Sequence, residues 1–146
     1  MSTMQTWIDD LGQNDLSAQI SAAEALAGLG KAAQGAIVAL VEGCGSSDED
    51  VRNWCTAALE EVGPPAAGQI EDLKSLASAA ENDIAFWAVT MLGRAQAADA
   101  VPILTERLHD ASAPAMQKRA AWALEKINAA YGLSNNSHLC RMRSSL

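Results

Sequence analysis

A six-residue phrase recurs four times along this chain, and its spacing constrains the fold more than any single residue does. The copies are Ala25-Leu26-Ala27-Gly28-Leu29-Gly30, Ala58-Leu59-Glu60-Glu61-Val62-Gly63, Met91-Leu92-Gly93-Arg94-Ala95-Gln96 and Ala123-Leu124-Glu125-Lys126-Ile127-Asn128. Their leucines, Leu26, Leu59, Leu92 and Leu124, stand 33, 33 and 32 residues apart. A fixed period of this length marks stacked helical repeats, each too small to bury its apolar face alone. The expected fold is all-α, a right-handed α-α superhelix (solenoid) of about four helical-hairpin repeats. The repeat domain is expected over residues 1–132, with a polar C-terminal tail over 133–146.

Each repeat reads as two helices, A and B. The spacing predicts A helices at roughly 16–29, 50–62, 83–95 and 114–128. The second is the clearest: Asp48, Glu49 and Asp50 supply an N-cap and negative charge where a helix start favours it. Val51, Cys55, Ala58, Leu59 and Val62 follow as one apolar stripe. Gly63 then ends the helix, and Pro64-Pro65 prevent it from resuming. The third copy uses Asp83 at its start, with Ile84, Ala88, Met91, Leu92 and Ala95. The fourth uses Ser112 and Pro114, then Met116, Ala120, Ala123, Leu124 and Ile127.

The B helices are predicted at 33–44, 66–79 and 98–110. An additional early one carries Met4, Trp7, Ile8 and Leu11 on one face, capped by Ser2 or Thr3. Shifted by one period, that set lands on Ile37, Leu40, Val41 and Cys44. The order is therefore B–AB–AB–AB–A, with the first half-repeat covering an open end of the stack and Trp7 sealing it. The later stripes are Ile70/Leu73/Leu76/Ala77 and Val101/Leu104/Leu108. The last is continuous only if its preceding loop is two residues shorter than strict periodicity allows.

The signals Asp50-Val51-Arg52, a small residue at Cys55, Ala58-Leu59 and the closing Gly63 resemble the HEAT-like repeat of the phycobilin-lyase type. Trp54, Trp87 and the run Arg119-Ala120-Ala121-Trp122-Ala123-Leu124 look like variants of that repeat. The resemblance covers residues 3–128. It departs at Gln96 and Asn128, which replace the closing glycine, and at Gln19, which stands where the second repeat has Arg52. It implies a scaffold-type fold, and scaffolds, adaptors and a few enzymes all share that fold.

Composition narrows the function classes. The 146 residues are 49% hydrophobic, enough to bury one core, and carry a net charge of −8. The basic stretch in the sequence is the tail with Arg141 and Arg143. Phosphate neutralisation needs Lys and Arg, so an acidic array argues against nucleic acid and against an anionic membrane surface. No apolar run approaches the ~20 residues of a membrane span. The N-terminus lacks a basic segment ahead of an apolar one and does not read as a signal peptide. Cys44, Cys55 and Cys140 lack disulfide-framework spacing, and Cys55 sits where other repeats have Ala22, Ala88 and Ala120. Free thiols of this kind suit a reducing, cytoplasmic setting.

Little in the chain suggests chemistry. Trp54 and Trp87 lie one period apart, the spacing that inter-repeat packing produces, so they read as packing residues before a stacking platform. His109 stands beside Asp110, and His138 shares the tail with Cys140, without a four-ligand zinc set. No nucleophile elbow, phosphate loop or dinucleotide fingerprint occurs. The expectation is no enzyme, no metal and no cofactor.

What remains is the solvent side of the B helices, which the HEAT-like resemblance places on the concave face. Opposite the buried stripes stand Asp9, Glu42, Glu71, Asp72, Ser75, Glu106 and Arg107. One residue per repeat, Asp9, Glu42, Ser75 and Glu106, makes a mostly acidic row. The expected function is a non-catalytic protein–protein interaction or scaffold module that binds a basic or amphipathic partner segment there. The alternatives are a lyase-like or chaperone-like cradle for a small hydrophobic or tetrapyrrole ligand, and a structural subunit forming a homodimer through an array end.

Overall fold

A computed structural model describes residues 3–131 of the chain. They form eight α-helices: α1 (Thr3–Leu11), α2 (Leu16–Gly28), α3 (Ile37–Gly43), α4 (Glu49–Val62), α5 (Ile70–Ala77), α6 (Asn82–Arg94), α7 (Val101–Leu108) and α8 (Pro114–Ala130). No strand occurs among the described residues. The fold is all-α. The tail 133–146 and the proposed cap Ser2 lie outside the described residues.

The four A helices, α2, α4, α6 and α8, start and stop within about two residues of the periodic expectation. Local chemistry sets their ends. Asp15 accepts a hydrogen bond from the Ala18 amide, and Asp48 accepts one from Val51 at 3.0 Å. For α6 the cap is Glu81, which accepts from the Asp83 amide, rather than Asp83 itself. Pro114 opens α8, a position where its missing N–H leaves nothing unsatisfied. In the loop just before it, the Ser112 hydroxyl and amide both donate to Asp110 and hold that carboxyl below its ordinary range.

The B helices α3, α5 and α7 are shorter than predicted. Each is preceded by a 3-10 turn, at 30–36, 67–69 and 98–100 respectively. These tighter turns consume the first part of each predicted segment. Pro102 lies in the first turn of α7, and the helices α5 and α7 correspond residue for residue at an offset of 31. Leu73 and Leu104 are both fully buried. The shorter loop is therefore the one the chain adopts.

Where α2, α4 and α6 end, the backbone turns through the left-handed region at Gly30 (φ 57°), Gly63 (φ 82°) and Gln96 (φ 54°), one period apart. After α6 the Ala97 amide bonds the Leu92 carbonyl and the Gln96 amide bonds the Gly93 carbonyl, a Schellman closure that needs this conformation. Gln96 keeps the geometry without the glycine and bears the Cβ strain. Gln96→Gly is expected to stabilise the protein by up to about 1 kcal/mol, read as a higher urea midpoint. A lowered midpoint would mean that the glutamine side chain contributes more than its backbone costs.

Each B helix packs most extensively on the A helix that follows it: α1 on α2, α3 on α4, α5 on α6, α7 on α8. The A helices pack side by side as α2 with α4 and α6 with α8, and the B helices touch in the order α1, α3, α5, α7. The periodic leucines fill the space between the two rows: Leu26, Leu59 and Leu92 are fully buried and Leu124 is 7% exposed. Ala22, Cys55, Ala88 and Ala120 occupy the equivalent small position and are all buried. Cys55 must be small because Gly43 of α3 passes over it; a Cβ there would collide with its Sγ. Burial pushes the Cys55 thiol up to about 12 and Cys44 up to about 11.

Candidate interaction surfaces

Asp9, Glu42, Ser75 and Glu106 fall at equivalent positions on α1, α3, α5 and α7, and all four are exposed. Because those helices touch in that order, the residues form a row along one layer of the molecule. Glu71 and Asp72 lie on the same layer and are also exposed. Glu71 pairs with Lys74 at 3.0 Å, and Asp9 accepts from Gln5 at 3.0 Å. Glu42, Asp72 and Glu106 take no part in the Lys74–Glu71 and Arg107–Asp110 ion pairs.

Arg107 does not belong to this surface. Its Nε donates to the Ala77 carbonyl at 2.7 Å, its Nη2 donates to Ala79 at 3.3 Å, and its Nη1 lies 3.5 Å from the Asp110 carboxylate. The α5 helix ends at Ala77 with carbonyls that no further turn satisfies. A planar cation with five donors is well suited to that need. The guanidinium is therefore turned inward as a clamp between α7 and the end of α5, and the row is more acidic than the sequence suggests.

The same device recurs along the A layer. Arg94 Nη1 donates to the Leu59 carbonyl at 2.6 Å, tying the end of α6 to α4. Burial and the neighbouring Arg119 lower the Arg94 pKa, and Glu60 opposes them. Arg52 Nη1 donates to Ser46 at 2.8 Å. Gln19, which replaces arginine at that repeat position, donates to the carbonyls of Leu11 and Gln13, and Gln117 in α8 donates to Leu108 at 3.1 Å. An amide thus does the work of a guanidinium where the preceding loop allows it. The departure at Gln19 changes the donor and keeps the function.

A second surface was hidden in the sequence. Phe86 and Trp87 of α6 meet edge to face, with centroids 6.0 Å apart and planes at 83°. Arg94 lies over Trp87 at 5.9 Å, Arg119 of α8 lies 4.9 Å from both Phe86 and Trp122, and Lys126 lies over Trp122 at 5.8 Å. Three cations and three rings thus form one strip across α6 and α8. Trp54, one period before Trp87, is 37% exposed and takes no part in these pairs. The sequence placed its basic stretch in the tail because these cations are separated by up to 32 positions and only the fold gathers them.

The clefts are shallow and open. One of about 390 Å³ lies between α4 and α6, lined by Cys44, Arg52, Thr56, Asp83, Phe86 and Trp87. Another, of about 360 Å³, has Glu71, Asp99 and Tyr131 on its walls. Among the described residues no group of three or more His, Cys, Asp and Glu side chains converges as a metal site would require. His109 is exposed, with Nδ1 2.9 Å from the Thr105 carbonyl. No helix of the described residues is long and apolar enough to cross a membrane.

No family model matches the chain, and no curated protein matches it. Solved structures do. Two engineered proteins crystallised by the Northeast Structural Genomics Consortium are similar to it. The first aligns with a TM-score of 0.57 at 22% identity over 87% of this chain and 63% of the other. The second aligns with a TM-score of 0.52 at 24% identity over 87% and 64%. The chain therefore spans somewhat under two thirds of either protein. At these identities the likeness concerns the fold alone.

Proposed function

We propose that the chain is a HEAT-like solenoid, a right-handed α-α superhelix of four helical-hairpin repeats, acting in the cytoplasm as a non-catalytic scaffold or adaptor. Its partner is a protein that presents a basic or amphipathic segment to the row formed by α1, α3, α5 and α7. The single observation that supports this reading most is the register: Asp9, Glu42, Ser75 and Glu106 repeat on neighbouring helices and are exposed. A basic segment laid across successive helices meets a carboxylate at three of the four steps. Such complementarity acts chiefly on the encounter rate and on partner choice. Extended repeat arrays commonly present surfaces of this kind.

The test is affinity capture from the native host's lysate at low and high salt, followed by binding measurements on the partner identified. The double variant Glu42→Lys/Glu106→Lys is expected to weaken a basic partner about tenfold, equivalent to ~1.4 kcal/mol, and to lose the salt dependence. Unchanged affinity in that variant would remove the acidic row from the function.

A further inference from the structure

We propose that Arg119 and the rings that hold it form a docking site for an acidic peptide segment of a partner protein, laid along α6 and α8. The four described arginines divide sharply. Arg52, Arg94 and Arg107 each donate to a main-chain carbonyl, whereas no described residue accepts a hydrogen bond from Arg119 or pairs with it as an ion. Its guanidinium nevertheless does not trail in solvent. It rests 4.9 Å from the Phe86 ring and 4.9 Å from the Trp122 ring, which limits its rotamers, and among the described residues its N–H donors have no acceptor.

A guanidinium held beside two rings, with no acceptor among the described residues, keeps N–H donors that can match a carboxylate bidentately. The ordering cost, normally a large part of why exposed ion pairs contribute little, is met here by the rings before any ligand arrives. The neighbours set the sign of the ligand. Lys126 also lies over the Trp122 ring and Arg94 is close enough to Arg119 to feel its charge, while Lys118 is exposed on the same helix as Arg119. Against them stand Glu125 on α8 and Asp83 at the start of α6. The patch is a local reversal on a chain of net charge −8. This site lies on the A layer and is independent of the acidic row, so each reading stands or falls alone.

The probe is a fluorescein-labelled hexaglutamate peptide, with hexaglutamine as control, followed by fluorescence anisotropy on the full chain. Hexaglutamate is expected to bind, to weaken as salt rises, and to quench tryptophan emission; hexaglutamine is not. Arg119→Lys keeps the charge and loses the fork, and is expected to weaken binding at least tenfold. Because that variant removes ring contacts and could loosen the fold, Lys126→Glu serves beside it: the side chain is exposed, and binding should also fall. Glu106→Lys should leave hexaglutamate affinity nearly unchanged. Equal binding of the two peptides, or parental affinity in both Arg119→Lys and Lys126→Glu, would overturn the proposal. So would salt-sensitive self-association in light scattering that Arg119→Lys abolishes, since the occupant would then be a second copy of this chain.

Discussion

Leu59→Ala is expected to lower the free energy of unfolding by about 3–4 kcal/mol. Leu59 is fully buried in the contiguous core, on the helix that packs against both α2 and α3. Removing its branched end costs the transfer free energy of the lost carbons and leaves a cavity that the flanking helices can only partly close. Collapse is hindered here because the Leu59 carbonyl is itself held at 2.6 Å by Arg94. In a domain of this size the loss corresponds to a melting-temperature drop of roughly 10 °C. Leu124→Ala, at the last repeat position and 7% exposed, should cost visibly less, because water and chain relaxation reach its cavity. Urea denaturation of both variants decides the matter: a smaller loss for Leu59→Ala than for Leu124→Ala would show that the core does not centre on the middle of the array.

Gly93→Ala is expected to destabilise the protein by about 1–3 kcal/mol, against the direction of helix propensity. Near the end of α6, alanine should by itself gain about 0.5–1 kcal/mol over glycine. Tertiary packing reverses the sign. A Cβ at residue 93 would stand 2.6 Å from Trp122 Cζ3, 2.9 Å from Ala123 Cβ and 3.0 Å from Ala123 Cα. The tryptophan could swing aside, but the α8 backbone cannot, so α6 and α8 must separate. Gly28→Ala, with nothing within 4 Å of the added carbon, is the matched control and should be neutral or stabilising. If both variants gained stability, the close approach of α6 to α8 would be wrong. Displacement of Trp122 should also loosen Arg119, so Gly93→Ala is predicted to weaken acidic-peptide binding.

Both predictions separate what periodicity reveals from what contact reveals. The A helices were legible because apolar residues at helical spacing, capping carboxylates and left-handed closures are local signals, each acting within one or two turns. The B helices were legible in their buried faces and less so in length, since the competition between a 3-10 turn and an α-helical turn is settled by small differences around glycine and proline. The acidic row was legible for the same periodic reason, except at Arg107. A charged residue next to a buried stripe can face solvent or cap a neighbouring helix, and nothing local distinguishes the two.

By itself the sequence determined the all-α fold, the positions of the A helices, the burial of Leu26, Leu59, Leu92 and Leu124, and the equivalence of Asp9, Glu42, Ser75 and Glu106. Only the tertiary structure decided which polar side chains are committed to helix ends, where Gly93 must remain bare, and that Phe86, Trp87, Arg94, Arg119, Trp122 and Lys126 form one strip. The physical reason is range. Hydrophobic periodicity and capping depend on residues a few positions apart, whereas a cation over a ring or a backbone against a missing Cβ depends on how closely two helices approach, which no single helix encodes.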